Sequence, residues 1–227
     1  MRKTRDYLAE PSVIVHASNW GVNRGQIFFD DEDYDSFLQL LFEIQKRIPV
    51  SLLVYSLMPN QFDLVLQQHA PFAISRFMKR VCQAYAEQLN RRLNRTGHVF
   101  TRRYRGVPIP DVETLLRLSH SIHMSPVQAA LALRADQWRY SSCKSYMSTA
   151  GENLADRSLI WAMVGGRREY ARLMDQFDPA RPASIREFLC SEAVDVWFQK
   201  KEGEQRGKQR PDANSIGARP GPGPPIG

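Results

Sequence analysis

The order of strand-like and helix-like segments predicts an α+β fold of the ferredoxin-like, split βαβ kind: an antiparallel sheet with helices on one face, a C-terminal helical extension and a disordered tail. Three observations lead there. The first 125 or so residues run, roughly, strand, helix, strand, strand, helix, strand, helix. The two middle strands are separated only by Pro59-Asn60, a hairpin signal. Residues 203–227 hold six glycines and five prolines with almost no large apolar side chain, a composition that cannot offset the entropy of ordering.

Val13 to Ser18 (VIVHAS) is β-branched and ends at the turn-like Asn19-Trp20-Gly21, which predicts the first strand. Asp30-Asp31-Glu32-Asp33 supplies an acidic helix start, and Phe37, Leu40, Leu41, Ile44 and Ile48 follow at helical spacing until Pro49. Ser51 to Met58 and Phe62 to Gln67 form the hairpin. A second helix follows Pro71, with Ile74, Phe77, Met78, Val81, Tyr85 and Leu89 on one face, and ends near Gly97. Gly106 to Pro110 makes a short strand, and a third helix starts at Asp111-Val112-Glu113 and runs toward Met124. Beyond it, Ser158 to Phe177 is helical with a break at Gly165-Gly166, and Ser184 to Phe198 makes another helix. The expected organisation is an N-terminal arm (1–10), a main domain (11–150), a helical extension (151–198) and a Gly/Pro-rich tail (199–227).

The composition narrows the function. The chain has 227 residues, 43% hydrophobic and 10% aromatic, enough for a core. No apolar run approaches the roughly 18 residues of a membrane span, and MRKTRDYLAEPSV has no apolar stretch of the secretory kind. A cytoplasmic protein with no membrane partner is expected. Cys82, Cys143 and Cys190 form no paired motif, so they read as reduced thiols. The net charge of +7 is uneven. Arg76 to Arg105 carries nine basic residues against Glu87, or +8, the tail from Gln199 carries +3, and the remainder is acidic at −4. Such a local excess attracts a polyanion, of which nucleic acid is the commonest; the alternative is a solvated helix face.

Several segments together resemble the REP-associated tyrosine transposases, which are single-tyrosine HUH transposases of bacterial insertion sequences. They are His16-Ala-Ser-Asn-Trp-Gly-Val-Asn-Arg24, Phe28 to Tyr34, Tyr55 to Asn60, Asn90 to Phe100, Arg103-Tyr104, Ser125-Pro-Val127 and Tyr140-Ser-Ser142. The resemblance extends through about residue 150. It implies binding and cutting of single-stranded DNA beside palindromic hairpins by an enzyme that acts as a dimer. Two histidines flanking one hydrophobic residue would hold Mg or Mn, and a tyrosine would attack the phosphate to give a covalent intermediate. The corresponding triplet here is Gln61-Phe62-Asp63, the nucleophile position is Ser121, and its polar partner one turn later is Ser125. Both histidines and the tyrosine are replaced, so the expectation is a DNA-binding protein without endonuclease activity and without a cofactor, and a possible homodimer.

The resemblance also places the basic helix and the loop after it beside hairpin DNA. Lys79, Arg80, Arg91, Arg92, Arg95, Arg102, Arg103 and Arg105 are then the phosphate-binding candidates, with Asn23 and Arg24 in the first turn. Trp20 and Phe100 could stack on unpaired bases or serve as core. Other readings stay open. Asp63 is a candidate metal ligand in an active nickase using a displaced tyrosine, with Tyr85, Tyr104 and Tyr140 as substitutes, or Gln61 and Asp63 are a vestigial pair at the strand surface. His120, His123 and His98 could form a replacement metal site or be ordinary structural residues. The extension, with Trp161, Trp197 and Phe198 exposed, could bind a protein.

Overall fold

The computed structural model describes residues 6–148 and 154–176. Strands β1 (Ile14–Trp20), β2 (Val50–Met58), β3 (Gln61–Gln68) and β4 (Arg105–Pro108) alternate with helices α1 (Asp31–Gln45), α2 (Ala73–Arg92) and α3 (Val112–Gln128) in the predicted order. The sheet order is β2-β3-β1-β4 with every neighbour antiparallel. β3 thus lies between β1 and β2, which makes the βαβ unit a split one.

Local chemistry sets the helix starts. Asp30 and Asp111 are the N-caps of α1 and α3, and their carboxylates accept from the backbone N–H of Asp33 at 3.2 Å and of Thr114 at 2.7 Å. Asp31, Glu32 and Asp33 sit in the first turn of α1, where the helix dipole favours negative charge. α3 extends past Met124 to Gln128 because Pro126 is accommodated inside it.

α1 and α2 cover one sheet face, where Phe37, Leu41, Phe77, Val81 and Tyr85 pack on Ala17, Phe62, Leu64 and Leu66. Each such side chain fully buried contributes about 1.5–3 kcal/mol. The opposite face is covered as well. Leu115, Leu118 and Ile122 of α3 meet Val54 and Val65, joined by Tyr146 of α4 (Cys143–Met147), Ile160 of α5 (Ser158–Val164) and Tyr170 of α6 (Arg167–Gln176). A register shift between Leu52 and Val54 turns both Leu53 and Val54 toward this second core, and the Tyr146 hydroxyl donates to the Leu53 carbonyl at 2.8 Å.

The described part of the N-terminal arm packs on the domain, and one expectation, the exposure of Trp161, needs correcting. Residues 6–9 of the N-terminal arm form a 3-10 turn with Leu8 fully buried, and the Leu8 carbonyl accepts from Phe72 N–H and Gln68 Nε2. Trp161 is half-buried rather than exposed, edge-on to Tyr146 with the Arg157 guanidinium 4.4 Å from its ring centre. The break at Gly165-Gly166 is found, both glycines having positive φ. The predicted Ser184–Phe198 helix, Trp197, Phe198, Cys190 and the Gly/Pro-rich tail lie outside the described residues.

The turn after β1 requires glycine. A Cβ on Gly21 would sit 2.1 Å from the Gly25 carbonyl oxygen and 2.9 Å from an Ile27 methyl. Gly21→Ala is therefore expected to destabilise the fold by about 1–3 kcal/mol, and an unchanged urea midpoint would show that this turn can relax.

Candidate functional site

The register of the sheet builds a polar row on the α3 face. Ser18 is opposite Asp63 on one side and Arg105 on the other, and Asp63 is opposite Ser56. Because residues two apart on a strand share a face, Gln61 and Trp20 lie on the same face at one end of this row, and His16 at the other. The side chains bond to one another. The Trp20 indole N–H donates to Gln61 Oε1 at 2.8 Å, Gln61 Nε2 donates to Asp63 Oδ2 at 3.1 Å, and His16 Nε2 lies 2.9 Å from Asp63 Oδ1. A carboxylate only accepts, so the His16 proton is on Nε2. Asp63 is 2% and His16 0% exposed. The Asp63 end of the Gln61–Asp63 pair is therefore interior, while Gln61 is half-buried at the end of the row. From α3, the Ser125 hydroxyl reaches Ser56 Oγ at 3.4 Å and donates to the Ile122 carbonyl at 2.8 Å.

Three loops converge where β1 ends. Gly21 N–H donates to the Asn60 carbonyl, Ile27 and Phe28 N–H to that of Pro59, and Val22 N–H to that of Val99. Asn23 and Arg24, both exposed, occupy the left-handed region in this cluster, and the Arg24 guanidinium lies 4.8 Å from the Trp20 ring centre. Phe100 is edge-on to Phe62 and half-buried. Beside this end runs the basic face of α2 and the 93–104 loop, where Lys79, Arg80, Arg91, Arg102 and Arg103 are exposed and form no side-chain ion pair among the described residues.

Two candidates from the basic set behave differently. Arg92 bonds Asp30 at 2.7 Å and Asp33 at 2.5 Å, tying the C-terminus of α2 to the N-terminus of α1, and this bond holds the Asp30 carboxyl below its usual range. Its guanidinium is engaged by carboxylates at the start of α1, unlike those of Arg91, Arg102 and Arg103. Arg95 donates to Asn90 Oδ1 at 3.1 Å. Arg92→Ala is expected to cost about 1–2 kcal/mol through the buried Asp33 carboxylate, while Arg91→Ala stays within about 0.5 kcal/mol; equal urea midpoints for the two variants would overturn the distinction.

Residues 11–123 match the family model described as IS200-like transposase. The chain belongs to the IS200-like transposase family. A solved structure of a REP-associated tyrosine transposase bound to a REP hairpin is similar, at a TM-score of 0.54 and 12% identity over 70% of this chain and 96% of that one. At that identity the likeness establishes the fold. A Deinococcus radiodurans protein assigned as a transposase is 18% identical over 58% of this chain and 95% of that chain, with a TM-score of 0.38. A search of curated proteins gives no significant match.

The family resemblance implies a divalent metal at the triplet, where this chain has Gln61 and Asp63. Both Asp63 oxygens and the Gln61 carbonyl oxygen are engaged by Gln61, His16 and Trp20. Among the described residues no group of three or more His, Cys, Asp or Glu could hold a metal ion. His16 Nδ1 and Ser18 Oγ are buried in the same row without a partner. In the sequence His16 stands out only as part of the segment running from His16 to Arg24. Its role was readable from the period of β1, which places it with Ser18 on one face, but its alignment with Asp63 depends on the pairing register.

The other candidates do not assemble. His123 has both ring nitrogens bonded inside the second core, to Ser142 Oγ at 2.7 Å and Tyr170 Oη at 2.8 Å, whereas His98 is exposed on the loop after α2. Ser121 is buried on α3. Among the tyrosines, Tyr85 donates to the Ile27 carbonyl at 2.5 Å, Tyr104 lies 3.4 Å from Ser75 Oγ, and Tyr140 stacks on Tyr34 at 3.9 Å. Burial raises the Tyr140 hydroxyl to about 12, far from a phenolate nucleophile at neutral pH.

Proposed function

We propose that this chain binds hairpin or single-stranded DNA in the cytoplasm and does not cut it. The observation that carries the reading is the set of unpaired cations, Lys79, Arg80, Arg91, Arg102 and Arg103, beside the three converging loops. Guanidinium groups left free by the fold are suited to phosphate oxygens, and the related transposase of known structure is bound to a DNA hairpin. The loss of cutting is supported by Gln61, Asp63 and Ser121 standing where metal ligands and a tyrosine are expected, and by the internal bonding of the first two.

Two measurements test it. Affinity for a folded DNA hairpin should fall steeply with salt, the slope of log K against log salt growing by about 0.9 for each phosphate neutralised. A slope near zero would remove the electrostatic basis. Incubation of labelled hairpin with magnesium or manganese should leave no covalent adduct on a denaturing gel; an adduct lost on mutating one tyrosine would establish the active nickase instead.

A further inference from the structure

The bonds of the polar row have fixed directions. An indole N–H only donates and a carboxylate only accepts, so the Gln61 amide has a single orientation, with Oε1 toward Trp20 at 2.8 Å and Nε2 toward Asp63 at 3.1 Å. Asp63 thus receives one N–H on each oxygen, from Gln61 on Oδ2 and from His16 on Oδ1. That satisfies a carboxylate withdrawn from water. The outer end of the row is covered too, because the Arg24 guanidinium lies 4.8 Å from the Trp20 ring centre. His16 itself is held in β1, opposite Val65 of β3 and Val107 of β4, with no exposed surface.

A divalent cation needs oxygen or nitrogen lone pairs directed at it. In this row the donor atoms are turned to other work, since Asp63 faces two N–H groups and the Gln61 oxygen faces an indole. We propose that His16 is a lock on the row: its Nε2–H takes the Asp63 oxygen that a cation would use, and the row holds together without a metal. The other ring nitrogen, Nδ1, is bare and buried, so Asp63 alone fixes which nitrogen carries the proton. A cation entering the row has to break a hydrogen bond to a charged group, which lowers its affinity by about tenfold or more. The lock deepens the reading that this chain does not cut DNA, and rests on that reading for its functional meaning.

The first test uses the full wild-type chain. In a proton–nitrogen correlation spectrum of the imidazoles, His16 should carry its proton on Nε2 and stay unchanged on adding magnesium. Manganese uptake, read from the paramagnetic resonance signal of the free ion, should be the same for wild type and Asp63→Asn. A His16 proton on Nδ1, a spectrum that shifts with magnesium, or uptake that Asp63→Asn removes overturns the lock. The second test restores a ligand. Gln61→His places an imidazole two residues from Asp63 on the same strand face, and with His16 in place it should bind manganese no better than wild type. Gln61→His combined with His16→Ala frees the carboxylate and should bind about tenfold more tightly or better. Equal affinities for these two variants overturn the lock, and the proton position in wild type decides the matter whatever the double substitution does to the fold. A covalent DNA adduct formed by wild-type protein without Asp63-dependent manganese uptake overturns the non-cutting reading and leaves the lock in place.

Discussion

Reversing Arg91, Arg102 and Arg103 together to glutamate is expected to lower hairpin affinity by a factor of about 100 or more, and to reduce the salt slope by about 3. The three side chains are exposed and make no hydrogen bond or ion pair among the described residues, so stability should stay within about 0.5 kcal/mol for each. That separation is the reason to leave Arg92 untouched: its reversal would set a carboxylate against Asp30 and Asp33 and confuse unfolding with lost binding. A control triple, Arg47, Lys144 and Arg168, removes the same charge from exposed positions elsewhere. If the control weakens binding as much as the test variant, net charge alone is responsible and no basic face exists. If neither weakens it, the cations of α2 are simply solvated.

The segments whose periodicity reports on a single packed face were legible in the sequence. β1, the hairpin and the apolar stripe of α2 needed only the alternation of period 2 or the spacing of 3 and 4, because one face of each is buried and the other is not. The site was less legible for a physical reason: it is made by pairing. Arg92 and Asp30 are 62 residues apart, and a run of arginines gives no sign of which one meets a carboxylate. Gln61 and Asp63 were singled out through their spacing, but the bond from Asp63 to His16, 47 residues away, depends on the register of β1 against β3, which a shift of one residue would reverse. Trp161 shows the same limit, since its burial comes from Tyr146 and Arg157. The end of α3 was placed early because a proline usually stops a helix, whereas here Pro126 is buried in its last turn and the helix continues to Gln128.

The helix that carries Ser121 and Ser125 is held by a histidine, and this makes the fold sensitive to mild acid. His123 is wholly buried between the Ser142 and Tyr170 hydroxyls, and Tyr170 Oη in turn bonds Ser119 one turn back on α3. These partners satisfy a neutral imidazole, one nitrogen donating and the other accepting, but offer no carboxylate to an imidazolium. Burial, with the neighbouring His120 adding to it, pushes the His123 ring down to about 3 from its ordinary 6.5, and burial lowers His120 to about 4. In the unfolded chain both rings protonate near 6.5, so below that pH the unfolded state binds more protons than the folded one. Stability is therefore fully present above pH 6.5 and lost progressively as pH falls toward the folded values. For His123 alone the loss by pH 4.5 is about 2–3 kcal/mol, in a range where most carboxylates are still ionised. Urea denaturation at pH 7.0, 6.0, 5.0 and 4.5 should show the midpoint falling across this window. His123→Asn should lower the midpoint at pH 7 yet flatten its pH dependence, because the group that takes up the proton on unfolding is gone. A wild-type midpoint that holds constant down to pH 4.5 would mean that α3 is not latched to the helical extension through a neutral His123.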